Sequence, residues 1–146
     1  MRGYFEIGIY QPKREVNVGT LWRTAYQLGA AGIFTIGARY RPQISDTLKS
    51  DRHIPLRFYQ DFDDFYSHIP NDCTLAAIEQ GGLTLGGFRH PQRCIYLLGA
   101  EDGGLPQDIL KKCKLTISLQ SINTNSYNVA ISGSLIMYDR VFGFRS

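Results

Sequence analysis

The chain has 146 residues, of which 43% are hydrophobic, 20% charged and 12% aromatic. This composition excludes a disordered chain and predicts a single compact domain over residues 1–146. The net charge is +3, which does not by itself indicate a nucleic-acid partner. The three cysteines form no CxxC pair, which argues against a disulfide framework and against a zinc ribbon.

No apolar run reaches the roughly 20 residues that a membrane span requires. Glu6 interrupts the apolar stretch that a signal peptide would keep near the N-terminus. We therefore expect a soluble protein of the reducing cytoplasm, without a membrane partner.

Short apolar segments alternate with segments of helical periodicity, which predicts an α/β fold with a mostly parallel sheet flanked by helices. The predicted strands cover residues 4–10, 33–36, 56–59, 74–78, 94–98 and 115–119. The predicted helices cover residues 17–28, 45–49, 62–67, 106–112 and 128–142. Asn17 and Asp61 are expected to cap helices, Gly29 to end the first helix, and the glycines of 81–87 to form a flexible loop.

The last predicted helix is apolar around more than one face. One stripe contains Val129, Gly133 and Ile136, and a second contains Ile131, Leu135, Tyr138 and Phe142. The first stripe can pack on the sheet, whereas a monomer of this size would leave the second exposed. We therefore expect a homodimer, and a helix wedged centrally in its own domain is the alternative.

Several common catalytic motifs are missing from the sequence. It contains neither a GxxxxGK[ST] phosphate loop nor a GxGxxG dinucleotide fingerprint. His53, His68 and His90 stand apart from one another and from cysteines at ligand spacing, so we expect no metal site. Solvated-loop or packing roles suit these histidines better than catalysis, and the neighbours Arg89 and Pro91 place His90 in a surface loop.

Three polar segments stand out against this background. Residues 17–25 place Arg23 on a helix that begins near the end of the first strand, where parallel sheets bind ligands. Residues 97–106 form a glycine-rich turn whose two adjacent carboxylates would repel a phosphate and suit hydroxyls or a cationic centre such as a sulfonium. Residues 121–128 concentrate amides and hydroxyls, which either cap the next helix or bind a nucleoside.

Taken together and in this order, the three segments resemble the motifs of the SPOUT superfamily, specifically the TrmH-like (SpoU) RNA ribose 2′-O-methyltransferases. The NxGxxxRxA motif is present as Asn17, Gly19, Arg23 and Ala25. The GxExxGLP motif is present as Gly99, Glu101, Gly104, Leu105 and Pro106, and the SxNV motif as Ser126, Asn128 and Val129. The match covers nearly the whole chain, whose length is similar to that of the minimal, single-domain TrmL type.

The resemblance implies a C-terminal trefoil knot, a homodimer and S-adenosylmethionine as the cofactor. The implied cofactor contacts are Ala77, Ile78, Gly99, Ser118, Ser126, Tyr127 and Asn128. The implied reaction methylates a ribose 2′-hydroxyl of RNA, and tRNA is favoured over ribosomal RNA.

Arg23 is the catalytic arginine of the family by its motif position. A guanidinium is a poor general base, so we expect Arg23 to hold the adjacent phosphate and to stabilise the developing alkoxide. Asn17 and Glu101 are expected to orient Arg23 and the glycine-rich turn. Arginine suits phosphates and stacked bases better than lysine does. The candidate RNA contacts are Lys13, Arg14, Arg39 and Arg41, although solvated basic loops would give the same pattern.

The chain departs from the family pattern after the last strand. Residues 118–120 are Ser-Leu-Gln where family members often have Ile-Pro-Met, and Ile122 lies where a glycine is usual. A catalytically silent SPOUT-like dimer that binds RNA or a protein partner is therefore the alternative function. An unrelated α/β nucleoside-binding enzyme is a third hypothesis. Binding of S-adenosylmethionine distinguishes the methyltransferase from the silent dimer.

Overall fold

The computed structural model of the protein describes residues 3–41, 53–100, 103–123 and 126–143. The helix predicted at 45–49 and the motif residue Glu101 lie outside these ranges. No helix within them is long and apolar enough to cross a membrane.

Strands and helices alternate along the described residues. The strands are β1 (Tyr4–Tyr10), β2 (Gly32–Ile36), β3 (Leu56–Tyr59), β4 (Thr74–Thr84), β5 (Arg93–Leu98) and β6 (Leu115–Ser118). The helices are α1 (Glu15–Gln27), α2 (Phe62–Ser67), α3 (Gln107–Leu110) and α4 (Val129–Phe142). A 3₁₀ turn covers Leu85–Gly87, and α3 is shorter than the helix predicted at 106–112.

The strands form one six-stranded sheet in the order β3-β2-β1-β5-β4-β6, and each of these pairings is parallel. The predicted α/β fold class is therefore confirmed. The first three strands lie on one side of the sheet, in the order β1, β2, β3 towards one edge. The last three strands lie on the other side of β1, so the strand order reverses between the central neighbours β1 and β5. Ligands of open parallel sheets bind at the carboxyl ends of such a pair. The trefoil knot stays a prediction.

Helices cover both faces of this sheet. On one face α1 and α4 pack through Leu21, Ala25 and Ile136, which are fully buried. On the other face α2 and α3 pack through Phe65 and Ile109. Successive side chains of a strand point to opposite faces, so β1 to β5 contribute to both cores, whereas β6 contributes only to the core under α1 and α4.

Gly133 lets α4 lie closely against α1 and the centre of the sheet. A Cβ atom added there would lie 2.5 Å from Leu21 Cδ1 and 3.0 Å from Leu98 Cδ1. The other side of α4 exposes four apolar side chains: Ile131, Leu135, Tyr138 and Phe142. The two predicted stripes are therefore present, one in the core and one on the surface.

Most predicted boundaries agree with the structure. Asp61 caps α2, because its carboxylate accepts a hydrogen bond from a first-turn N–H at 2.8 Å. Gly29 ends α1 with a left-handed φ of 85°. However, α1 begins at Glu15, and the capping position is Arg14. The prediction that Asn17 caps this helix is therefore wrong, because its buried side chain bonds elsewhere.

The flexible loop predicted at 81–87 is only partly correct, because β4 continues as a strand through its first half. Ile78 and Leu83 both pair with Ile117 of β6, so residues 79–82 bulge out of the ladder between them. The tertiary partner β6 decides this outcome, since glycines suit a loop as well as an irregular strand.

His90 is buried, so its placement in a surface loop is wrong. Its Nδ1 lies 2.7 Å from the Tyr96 hydroxyl, and its Nε2 lies 2.7 Å from Asp139 Oδ2. Arg140, also buried, donates to the Tyr96 hydroxyl at 3.0 Å and to the Pro91 carbonyl oxygen at 2.7 Å. These partners satisfy the buried polar groups and join α4 to the segment before β5.

Candidate active site

A cavity of about 870 Å³ opens at the carboxyl edge of the sheet, beside the central strands. Its walls come from the segments that follow β1, β5 and β6, from the bulge of β4 and from the segment that leads into α4. Small-molecule sites usually measure about 300–1,000 Å³. The cavity therefore has a suitable size and occupies the crevice that the strand order creates.

Two asparagines join opposite walls of this cavity. Oδ1 of Asn128 accepts hydrogen bonds from the N–H groups of Ala130 and Ile131, at 2.8 and 3.2 Å, and thereby caps α4. Nδ2 of Asn128 donates to Oδ1 of Asn17 at 3.1 Å, and Asn17 is buried in the first turn of α1. These two motif residues, 111 positions apart, fix the start of α4 against α1.

The turn after β5 approaches itself closely at Gly99. A Cβ atom added to Gly99 would lie 2.6 Å from the Gly104 carbonyl carbon and 2.8 Å from the Leu105 nitrogen. The Gly104 N–H donates to the Ala100 carbonyl oxygen at 3.2 Å, which closes the turn. A larger residue at position 99 therefore has to displace this backbone, which forms one wall of the cavity.

Polar side chains hold the segment before α4 on the facing wall. Ser126 Oγ accepts a hydrogen bond from Gln80 Nε2 at 3.1 Å. The Tyr127 hydroxyl donates to the Gln120 carbonyl oxygen at 2.8 Å. Ser118, the last residue of β6, completes this wall. Such amides and hydroxyls can bind a nucleoside through neutral hydrogen bonds.

The structure brings nine of the predicted site residues to the cavity: Lys13, Arg14, Asn17, Ile78, Gly99, Ser118, Ser126, Tyr127 and Asn128. Ala77 does not line it, because its side chain is buried in the core on the α2 and α3 face. Arg23, Arg39 and Arg41 are exposed and lie outside the described lining. The Arg39 guanidinium stacks over Phe58, 4.0 Å from the ring centre.

Two residues that the sequence motifs do not include, Glu79 and Gln80, also line the cavity. Both lie in the bulge of β4 at 79–82. The available signal was a pair of long polar side chains between an apolar strand and two glycines. Many strand ends have this pattern without any functional role. Only the contacts that the two side chains make across the cavity identify them as residues of the site.

The described lining includes basic and acidic groups but neither a thiol nor an imidazole. Lys13 and Arg14 are exposed at the rim, and Glu79 supplies a carboxylate. Burial raises the pKa of the Cys94 thiol to about 12 and the pKa of the Cys113 thiol to about 11. Both thiols therefore stay protonated near neutral pH, and neither lies in the cavity.

A parallel sheet with a polar cavity at its central carboxyl edge defines an α/β protein with a small-molecule site. Residues 4–138 match the sequence profile of the SpoU rRNA Methylase family, so the chain belongs to this family. The resemblance to the TrmH/SpoU methyltransferases of the SPOUT superfamily is therefore confirmed, and the chain is an RNA methyltransferase by family. A search of curated proteins found no matching relative.

Solved structures share the fold. One similar structure comes from work on the 2-OH methylation of C/U34 on tRNA. It matches with a TM-score of 0.84 and 23% identity, over 97% of this chain and 96% of its own. An AdoMet-bound rRNA methyltransferase from Sinorhizobium meliloti matches with a TM-score of 0.84 and 21% identity, over 100% of this chain and 59% of its own. The A. aeolicus TrmH/SpoU tRNA modifying enzyme matches with a TM-score of 0.85 and 13% identity, over 97% of this chain and 76% of its own.

Proposed function

We propose that the protein transfers a methyl group from S-adenosylmethionine to a ribose 2′-hydroxyl of RNA, with tRNA as the favoured substrate. The observation that carries this proposal is the cavity in which Asn17 bonds to Asn128 beside the turn at Gly99. It gathers residues of all three sequence motifs at one place. The similar structure associated with 2-OH methylation of tRNA supports the choice of ribose and of tRNA.

The cavity suits S-adenosylmethionine in size and chemistry. About 870 Å³ is ample for a nucleoside with an amino-acid tail. Ile78 and Gly99 would hold the cofactor through apolar and main-chain contacts, and Ser118, Ser126 and Tyr127 would do so through polar ones. When bound, the cofactor supplies a methyl group attached to a sulfonium.

Arg23 acts on the acceptor side of the reaction. It is exposed on α1 and lies outside the described cavity lining, so it is accessible to bound RNA. A guanidinium donates hydrogen bonds and keeps its proton, so Arg23 holds the phosphate beside the acceptor ribose and stabilises charge that develops on the 2′-oxygen. Asn17 holds α1 in place through Asn128, and the resemblance assigns Glu101 to the orientation of the turn.

The cysteines give a reason to prefer a ribose oxygen over a base carbon as the methyl acceptor. Covalent activation of a base would need a thiolate or another activated nucleophile in the site. Cys73, Cys94 and Cys113 all lie outside the described cavity wall, and burial raises the pKa of each thiol. In-line transfer to a hydroxyl needs alignment and electrostatic stabilisation, which do not depend on a thiol.

The RNA contacts follow the carboxyl edge of the sheet. Lys13 and Arg14 lie at the cavity rim after β1, and Arg39 and Arg41 follow the adjacent strand β2. The stacking places the Arg39 guanidinium and the Phe58 ring side by side, which gives one cationic and one aromatic group for an RNA contact. Such a row of cations binds the phosphates on either side of a nucleotide whose ribose enters the site.

The exposed stripe of α4 supports a homodimer, as the resemblance implies. Tyr138 and Phe142 lie with ring centroids 5.2 Å apart, next to exposed Leu135. Contiguous apolar side chains on one helix face favour association. We propose a second copy of the chain as the occupant, and the cytoplasm as the location of the dimer.

Titration calorimetry with S-adenosylmethionine, followed by transfer of a tritiated methyl group to total RNA, tests the function. We expect saturable binding and label in 2′-O-methylated nucleosides of the tRNA fraction. Label in the bases would contradict the ribose assignment. A folded protein that binds RNA but does not bind S-adenosylmethionine would instead support the silent dimer.

A further inference from the structure

The bulge of β4 places two long polar side chains between the two loops of the cavity. Ile78 and Leu83 share Ile117 as a partner, which pushes residues 79–82 out of the ladder. Gly81 has a left-handed φ of 85°, which supports the sharp change of direction. The chain therefore returns to β6 only after Glu79 and its neighbour have reached the cavity.

Glu79 holds the turn that follows β5. Its Oε2 accepts a hydrogen bond from the Leu105 N–H at 2.8 Å, and its Oε1 accepts one from the Gln80 N–H at 3.1 Å. A Cβ atom on Gly104 would collide with the Glu79 carboxylate, so the two residues lie in direct contact. An ionised acceptor makes such a bond stronger than a neutral one. The carboxylate therefore fixes the outer arm of the turn.

Gln80 holds the facing wall. Its Nε2 donates to Ser126 Oγ at 3.1 Å, two residues before the Asn128 that caps α4. Adjacent residues of one bulge thus contact both loops that enclose the cavity, one 26 positions away and the other 46 positions away.

We infer that Glu79 and Gln80 are positioning residues, which set the separation of the two cavity loops before the methyl donor binds. This inference rests on the proposed function. A loop held in its binding-competent form pays less ordering entropy when the ligand arrives. If the turn samples other conformations, the apparent affinity falls by the fraction of molecules that are still competent.

The test compares Glu79→Ala, Glu79→Gln and Gln80→Ala with the wild type and with Asp63→Ala. Asp63→Ala is the charge-matched control, since Asp63 is an exposed carboxylate in the first turn of α2. Three quantities are measured: hydrogen exchange of the Leu105 amide without ligand, the Kd for S-adenosylmethionine, and the Kd for tRNA.

We expect Glu79→Ala to accelerate Leu105 exchange and to weaken S-adenosylmethionine binding, each by at least about tenfold, which is the lower end of the scale of one hydrogen bond to a charged group. Glu79→Gln keeps a neutral acceptor oxygen and should reduce each loss to about threefold. Gln80→Ala should weaken the same binding about threefold, because its contact is exposed and neutral. The tRNA Kd should stay within twofold in every variant.

Unchanged S-adenosylmethionine affinity in Glu79→Ala, with a binding wild type, would overturn the inference and leave the proposed function intact. An equal loss in Asp63→Ala would also overturn it, because the effect would then be one of net charge. If the wild type itself binds no S-adenosylmethionine, both the proposed function and the inference are wrong.

Discussion

Replacing Gly99 with alanine should close the proposed cofactor site while the fold persists. The added Cβ would lie 2.6 Å from the Gly104 carbonyl carbon, and an ordinary contact begins at 3.4 Å, so this backbone has to retreat by about 0.8 Å. Overpacking of this kind costs about 1–3 kcal/mol. The free variant relieves this strain by moving the wall, and the strain returns when the cofactor needs the wall in its original place. Because about 1.4 kcal/mol corresponds to a tenfold change, the affinity for S-adenosylmethionine should fall by about 5-fold to 150-fold.

Gly87→Ala provides the matched control. A Cβ atom at Gly87 would meet nothing within 4 Å, and Gly87 is not part of the described cavity lining, so the affinity of this variant should stay within about twofold of the wild type. Calorimetry measures the three affinities, and urea unfolding establishes that each variant is folded. Equal affinities of Gly99→Ala and the wild type would refute the argument that the backbone at Gly104 forms a wall of the cofactor site. The larger change Gly99→Glu should abolish binding.

Four further results are expected. Arg23→Ala should lower kcat about 100-fold to 1,000-fold. The S-adenosylmethionine Kd of this variant should be unchanged in calorimetry, because the Arg23 side chain lies outside the described cavity lining; a weaker Kd would place Arg23 in the cofactor site. The double variant Arg39→Glu, Arg41→Glu should weaken tRNA binding in a filter-binding assay. The slope of log K against log salt should fall by about 1 for each phosphate that the protein no longer binds, and an unchanged slope would exclude both arginines from the RNA surface. Leu135→Glu should shift the protein to monomer in sedimentation velocity, and a persistent dimer would contradict the α4 interface. Urea unfolding should show stability that is complete below pH 9 and lost towards pH 12, because burial raises the pKa of Cys94 from its ordinary 9.0 to about 12. Burial also raises the pKa values of Cys113, Tyr4 and Tyr96, so Cys94→Ala should remove only the Cys94 share of this decline; a decline of equal size in that variant would rule out the Cys94 thiol as a contributor.

The departure from the family pattern at 118–120 has a limited structural effect on the cavity. Ser118 still ends β6 and lines the wall, and the Gln120 carbonyl oxygen accepts the hydrogen bond of the Tyr127 hydroxyl. Ile122 is fully exposed, so its side chain does not fill the site. The altered segment therefore still contributes Ser118 to the cavity and holds Tyr127 at its wall.

The sequence by itself determined the elements and the motif positions of this protein. Apolar periodicity located the strands, and local caps such as Asp61 and Gly29 set helix ends, because these preferences act within a few residues of the chain. The positions of the three motif segments could also be predicted from the sequence, since each segment lies where a strand or loop meets a helix. The helix predicted at 45–49 and the role of Glu101 stay predictions.

Only the tertiary structure decided which polar groups meet. Asn17 bonds to Asn128 across 111 positions, and His90 is buried against Asp139 across 49 positions. The bulge that directs Glu79 to the Leu105 amide exists because β6 pairs on both sides of it. A sequence window contains none of these partners, and the free energy of burying a polar group depends on whether such a partner is present. The chemistry of the cavity therefore follows from the folding of distant segments onto one edge of the sheet.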